Sequence, residues 1–171
     1  MALPPALRVV PAAPEGALAP VREEVSPDGS DEARPLSKEG RRRFRRAVRG
    51  LGRLGVRLDR LYHSPLLRAV ETADLLVDLV GGERAATPLL AQPPDEALLA
   101  LLEGPGEGER VGLVGHEPWL SQLCAWLAVG NRKRASGFVL KKGGVAWLEG
   151  EARPGKMRLR ALLPPRVLRA L

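Results

Sequence analysis

Ser64, Arg68 and His116 are the side chains whose types and settings could do chemistry together. They fall in two copies of one local pattern: an apolar run, a tight polar turn, then a helix-forming stretch. The first copy is Leu61-Tyr62-His63-Ser64-Pro65-Leu66-Leu67-Arg68-Ala69, and the second is Val111-Gly112-Leu113-Val114-Gly115-His116-Glu117-Pro118. In open α/β sheets such turns lie beyond the carboxyl ends of the strands, where ligands bind. Helix N-termini there present backbone N–H groups that favour anions. An arginine on the first turn can hold phosphate oxygens with its planar fork. Each residue also has a plainer reading. Arg68 is one of many arginines, His116 could satisfy a loop carbonyl, and Ser64 could be only a helix cap beside Pro65. His63 lies on the opposite strand face from Tyr62 and reads as structural. Glu117 has the chemistry of a proton donor, although acids are common in a first helical turn.

The elements that position these turns follow from periodicity. Leu7 to Val10 reads as the first strand. The stretch from Pro11 to Pro35 is rich in Pro, Gly and acids and reads as a long loop (11–35). Ser37 suits the cap of a helix that buries Phe44, Ala47, Val48, Leu51 and Leu54 at helical spacing, with Gly55 as its stop. Arg60 to His63 predicts a strand. The helix after Ser64-Pro65 is expected to point Ala69, Thr72, Ala73, Leu76, Val77 and Val80 inward and to stop at Gly81-Gly82. Ala85 to Leu90 suits a short strand and Asp95 to Leu102 a short helix. Gly104 to Glu109 is a turn-rich connection. Val111 to Val114, apolar throughout, fits a central strand covered on both faces, followed by a helix from Trp119 to Leu127. Phe138 to Leu140, Val145 to Leu148 and Met157 to Leu163 read as closing strands, with Lys141 to Gly144 as a hairpin turn. Alternating strands and helices predict an α/β fold with a mostly parallel, helix-covered sheet.

Composition narrows the class further. A chain of 171 residues suits one domain, 1–171, with a real hydrophobic core. No apolar run is long enough to span a bilayer, and the start lacks a signal-peptide pattern, so a cytoplasmic protein is expected. Cys124 is the single cysteine and sits among apolar neighbours, which fits a buried thiol in a reducing compartment. One cysteine and two widely separated histidines give no metal-ligand spacing. The net charge of +7 is compatible with an anionic substrate or nucleic acid. The basic run Arg41 to Arg49 has no interleaved aromatics and no nucleic-acid motif, so it reads as a solvated helix face rather than a nucleic-acid surface.

Taken together, the motifs carry a resemblance. Ser64-Pro65-Leu66-Leu67-Arg68-Ala69-Val70-Glu71-Thr72-Ala73 resembles the second-arginine motif of the histidine phosphatase superfamily, and Gly115-His116-Glu117-Pro118 its second-histidine motif. Arg34-Pro35-Leu36-Ser37 with Gly40, Lys141-Lys142-Gly143-Gly144-Val145-Ala146, and Leu163-Pro164-Pro165-Arg166-Val167-Leu168 look like the SixA-type phosphohistidine phosphatase branch. The resemblance implies a three-layer, phosphoglycerate mutase-like α/β fold and phosphoryl transfer through a covalent phosphohistidine, with no metal or organic cofactor. It implies a phosphate-binding set of Arg34, Arg68 and His116, with Ser64 beside them.

The resemblance fails at one motif. The family's nucleophilic histidine and its neighbouring arginine follow the first strand, and here Pro11 stands for the arginine and Ala12 for the histidine. No shift of register restores them, because the chain has only His63 and His116. Alanine offers no lone pair to phosphorus, and proline offers neither charge nor backbone N–H. The expected protein is therefore a non-catalytic or very weak homologue that keeps a partial pocket for a phosphate-containing ligand or a phosphoprotein. One alternative is a working phosphatase on a phosphohistidine protein or small phosphate esters, with a rebuilt site that recruits another nucleophile, for which His63 and Ser64 are nearest, or an activated water. The other is a basic nucleic-acid-binding domain acting through Arg41 to Arg49.

Overall fold

The computed structural model describes residues 6–11 (as backbone), 30, 32–103 and 108–171. One six-stranded sheet runs through it in the order β3-β2-β4-β1-β5-β6. The strands are β1 (Ala6–Pro11), β2 (Leu58–His63), β3 (Val80–Ala86), β4 (Arg110–Gly115), β5 (Val145–Gly150) and β6 (Met157–Leu163). β3, β2, β4 and β1 pair in parallel, while β5 joins β1 and β6 in antiparallel fashion. The helices are α1 (Lys38–Arg53), α2 (Leu67–Leu75), α3 (Glu96–Glu103), α4 (Trp119–Val129) and α5 (Pro165–Ala170).

Strand alternation divides the core between two faces. Leu61 and Val114 join Phe44, Leu51, Ala69, Leu76 and Leu168 under α1, α2 and α5. Their neighbours Tyr62 and Leu113 join Leu98, Leu120, Leu127 and Leu148 under α3 and α4. This is the three-layer α/β architecture expected. β4 is buried at every position from Val111 to Gly115, as a strand covered on both faces must be. Gly112 lets it sit so deep: a Cβ there would stand 2.7 Å from Leu58 and 2.8 Å from Leu61.

α1 starts as expected, with the Ser37 hydroxyl accepting the Gly40 N–H at 3.0 Å. It ends before Gly55, whose φ of 72° only glycine adopts cheaply. Leu54, expected inside, is half-exposed because it caps the helix end.

Other expectations are corrected. α2 stops at Leu75, not at Gly81-Gly82; a short 3₁₀ turn, Val77–Leu79, leads straight into β3. Val77 is exposed and Val80 opens the strand. The glycines are strand residues, and a side chain on Gly82 would collide with the Asp59 carbonyl of β2. The strand expected at Ala85 to Leu90 ends at Ala86, since Thr87 caps a 3₁₀ turn at Pro88–Leu90 and proline cannot donate to a ladder. Phe138 to Leu140 is not a strand; it follows a 3₁₀ turn, Arg132–Gly137, and buries Leu140 while exposing Val139. The end of the chain, read only as a motif, forms α5 with Pro165 at its first turn. Most of the expected loop 11–35 and residues 104–107 of the next connection lie outside the described residues.

Candidate functional site

The site grows from the carboxyl ends of three adjacent strands. β4 lies between β2 and β1, with His63 in register with Val114 and Pro11 with Gly115. Ser64 N–H extends the ladder by donating to the Val114 carbonyl at 2.9 Å. His116 therefore leaves the sheet with Ser64 on one side and the end of β1 on the other. Gly115 makes this turn tight: a Cβ would stand 3.1 Å from the Leu90 carbonyl oxygen and 3.2 Å from the Leu120 side chain.

Ser64 and His116 are joined directly, His116 Nε2 lying 2.8 Å from Ser64 Oγ. That hydroxyl also accepts the Leu66 N–H at 3.2 Å, so it serves the start of α2 as well. Ser64 is fully buried. It supports His116 from below rather than facing an open cleft. His63 is buried too, with Nδ1 3.0 Å from the Ser64 carbonyl oxygen. A carbonyl only accepts, so Nδ1 carries the proton. The structural reading of His63 fits this arrangement.

Arg68 lies on the first turn of α2, half-buried, and its carbonyl accepts the Thr72 hydroxyl at 2.7 Å. The segment carrying Arg34 is bound to the same helix at two points. Leu67 N–H donates to the Glu32 carbonyl at 3.0 Å. Leu36 N–H donates to Glu71 Oε2 at 2.6 Å. Arg34, also half-buried, lies between these two attachments on its strand of chain, as Arg68 does on α2. Ala12, expected from the sequence to stand at the place of the nucleophile, lies outside the described residues.

Glu117 follows His116 into the turn before α4. Its Oε2 is 2.6 Å from Ser121 Oγ, and that hydroxyl is 2.7 Å from the Phe138 carbonyl oxygen. Ser121 has one proton for two acceptors. Burial raises the Glu117 carboxyl above its ordinary range, against the opposing bond from Ser121. A protonated Glu117 completes the chain by donating to Ser121, which donates to Phe138. Cys124 is wholly buried on α4, and burial pushes its thiol up to about 12, as expected of an inert core cysteine. Among the described residues no group of His, Cys, Asp or Glu could hold a metal ion. In the basic helix α1, Arg41 pairs with Glu71 and both Arg42 and Arg43 with Glu39, which lowers the Glu39 carboxyl to about 2.

The sequence singles out Ser64, Arg68 and His116 as candidates through their shared strand–turn–helix setting. It gives no role to Glu71 beyond its place in a motif and none to the Glu32 carbonyl. Their partners are distant in sequence, and no local pattern marks them.

The fold is an α/β sheet covered on both faces, and the pattern of the histidine phosphatase superfamily (branch 1) matches residues 28–91. The chain belongs to that superfamily. An uncharacterized protein of Picosynechococcus sp. is 31% identical over 144 residues, covering 82% of each chain. The fold is that of the SixA-type phosphohistidine phosphatases. The protein histidine phosphatase SixA complexed with tungstate superposes with a TM-score of 0.73 at 22% identity, over 95% of this chain and 99% of that one. A protein from Agrobacterium tumefaciens assigned to phosphohistidine phosphatase SixA gives 0.71 at 21% identity, over 95% and 99%. Phosphoserine phosphatase of Entamoeba histolytica in complex with 3-phosphoglyceric acid gives 0.65 at 14% identity, over 95% and 98%.

Proposed function

We propose that this chain is a SixA-like phosphohistidine phosphatase homologue that binds a phosphorylated ligand or phosphoprotein without turning it over. Arg34 and Arg68 supply the charged grip, His116 supplies a third polar contact, and Ser64 orients His116. The observation that carries the reading is the use made of the two histidines. His63 is locked against a backbone carbonyl, His116 is held by Ser64, and neither replaces the histidine missing at Ala12. A covalent route needs an atom to carry the phosphoryl group.

The pair His116 and Ser64 does favour a second reading, a rebuilt site with Ser64 as nucleophile and His116 as its base. Burial argues against it. The Ser64 hydroxyl already accepts Leu66 N–H, shares a proton with His116 and has no exposed face for in-line attack.

Two measurements test these readings. The purified protein should release phosphate from an aryl phosphate and from phosphohistidine at background rate. It should bind inorganic phosphate in the millimolar range, because the charged bond lost at Pro11 weakens affinity by about ten- to hundredfold, and Arg68→Ala should abolish binding. Phosphate release that disappears in Ser64→Ala would replace the first reading with the second. Binding indifferent to Arg68→Ala would place the anion elsewhere.

A further inference from the structure

Arg34 stands on a segment that forms no helix or strand, yet a grip on an anion requires its guanidinium to be held in place before the anion arrives. The backbone around it is fixed from three directions. On its N-terminal side the Glu32 carbonyl accepts the Leu67 N–H, an amide of the first turn of α2. On its C-terminal side Pro35 fixes its own φ and confines Arg34 to extended backbone. One residue later, Leu36 N–H is held by Glu71, one helical turn along α2 from Leu67.

We propose that Glu71 is a positioning residue for the anion pocket, holding the Arg34-Pro35-Leu36 turn on α2 so that Arg34 and Arg68 grip one oxyanion together. The proposal rests on the phosphate-binding reading above. Both oxygens of the carboxylate are engaged, Oε2 by Leu36 N–H at 2.6 Å and Oε1 by Arg41 Nη2 at 2.5 Å. The side chain is largely buried, 16% exposed. Two bonds from different directions fix its rotamer, and through it the distance of the turn from α2. An unpaired carboxylate at this place would repel an incoming anion. Arg41 neutralises it, so Glu71 works as a clamp and does not oppose the charge of the pocket. Leu36 is buried, and its N–H needs an acceptor that the surrounding apolar side chains cannot give. The Leu36 amide bond is thus the working half of the clamp, and the Arg41 pair is the half that silences its charge.

The test is tungstate binding by calorimetry to the 171-residue chain. Glu71→Met, which keeps the length and removes both acceptors, should weaken binding about as much as Arg34→Ala, roughly tenfold or more. The double variant should be no weaker than Arg34→Ala alone, because Glu71 acts through Arg34. Glu71→Gln should stay within about threefold of wild type, since its amide oxygen still accepts the Leu36 N–H. In step with this, hydrogen exchange at the Leu36 amide should quicken in Glu71→Met and stay unchanged in Glu71→Gln. A merely structural ion pair would give near-wild-type affinity in Glu71→Met, or losses that add to those of Arg34→Ala, and either result overturns the proposal. Should Glu71→Met fail to fold, a large loss of tungstate binding in folded Glu71→Gln still overturns it. A wild-type protein that binds no tungstate defeats the pocket reading and this inference together, whereas wild-type binding indifferent to Glu71 defeats this inference alone.

Discussion

Among the individual side chains, Ala12, at the proposed place of the nucleophile, is only one that bears on this protein's behaviour. Glu117 is one residue whose hold on its proton the surroundings alter. Its carboxyl is raised by burial, so the folded protein holds the proton more tightly than the unfolded chain. The stabilising effect is therefore fully present below the ordinary value of 4.5 and is lost as pH rises through the folded value. Over that window Glu117 changes from donor to acceptor and competes with the Phe138 carbonyl for the Ser121 proton. The stretch after α4 is then held less firmly. Glu117→Gln, which keeps a donor toward Ser121 at every pH, should melt like wild type near pH 4 and higher than wild type at pH 7. Thermal melts across that range check it, and parallel profiles for the two proteins would show that the carboxyl titrates normally.

For the elements, close packing does what side-chain chemistry does in the site. α5 lies against α1 at Gly50, where an added Cβ would collide with the Leu168 carbonyl. Arg53 at the end of α1 also donates to the Leu171 carbonyl. Helix propensity alone would favour Gly50→Ala by about 1 kcal/mol. Here the collision is with backbone, which cannot rotate away, so we expect a net loss of about 1–3 kcal/mol, read from denaturant unfolding. A gain in stability would mean that α5 detaches at little cost. This contact also shows what a sequence can tell in advance. Val111 to Val114 and the spacing of Phe44, Ala47 and Leu51 announce themselves, because burial on both faces or on one helical stripe leaves a local pattern. Gly50 does not, because its reason is a helix more than a hundred residues away. For the same reason Gly81-Gly82 reads as a helix stop when it serves close approach to β2. The candidate site divides likewise: Ser64, Arg68 and His116 follow from strand–turn–helix signatures, whereas Glu71 holding Leu36 is a distant pairing between two ordinary residues.

For the molecule as a whole, the superfamily fold is present, and on the reading proposed above Ala12 stands where the group that accepts the phosphoryl would be. Parallel pairing carries β1 to Pro11 opposite Gly115, so the chain after Pro11 starts beside the turn that bears His116. β1 is paired with β4 on one side and β5 on the other. Among the described residues His116 is bonded to Ser64, and the backbone on either side of Arg34 is bonded to α2. Pro11→Arg combined with Ala12→His should therefore yield phosphate release above the wild-type background. The histidine supplies the atom that carries the phosphoryl group, and the arginine holds that group and favours its charge in the transition state. Ala12→His alone should fall below the pair by about 10²–10³-fold, the usual cost of one missing transition-state donor. Adding His116→Ala to the pair should remove the gain, because the new nucleophile would then work without its neighbour. A double variant that binds tungstate more tightly than wild type yet releases no phosphate would show that the arginine has been restored to the pocket and the histidine has not. Activity retained after His116→Ala would show that the gained reaction runs outside the frame formed by Ser64, Arg68 and His116.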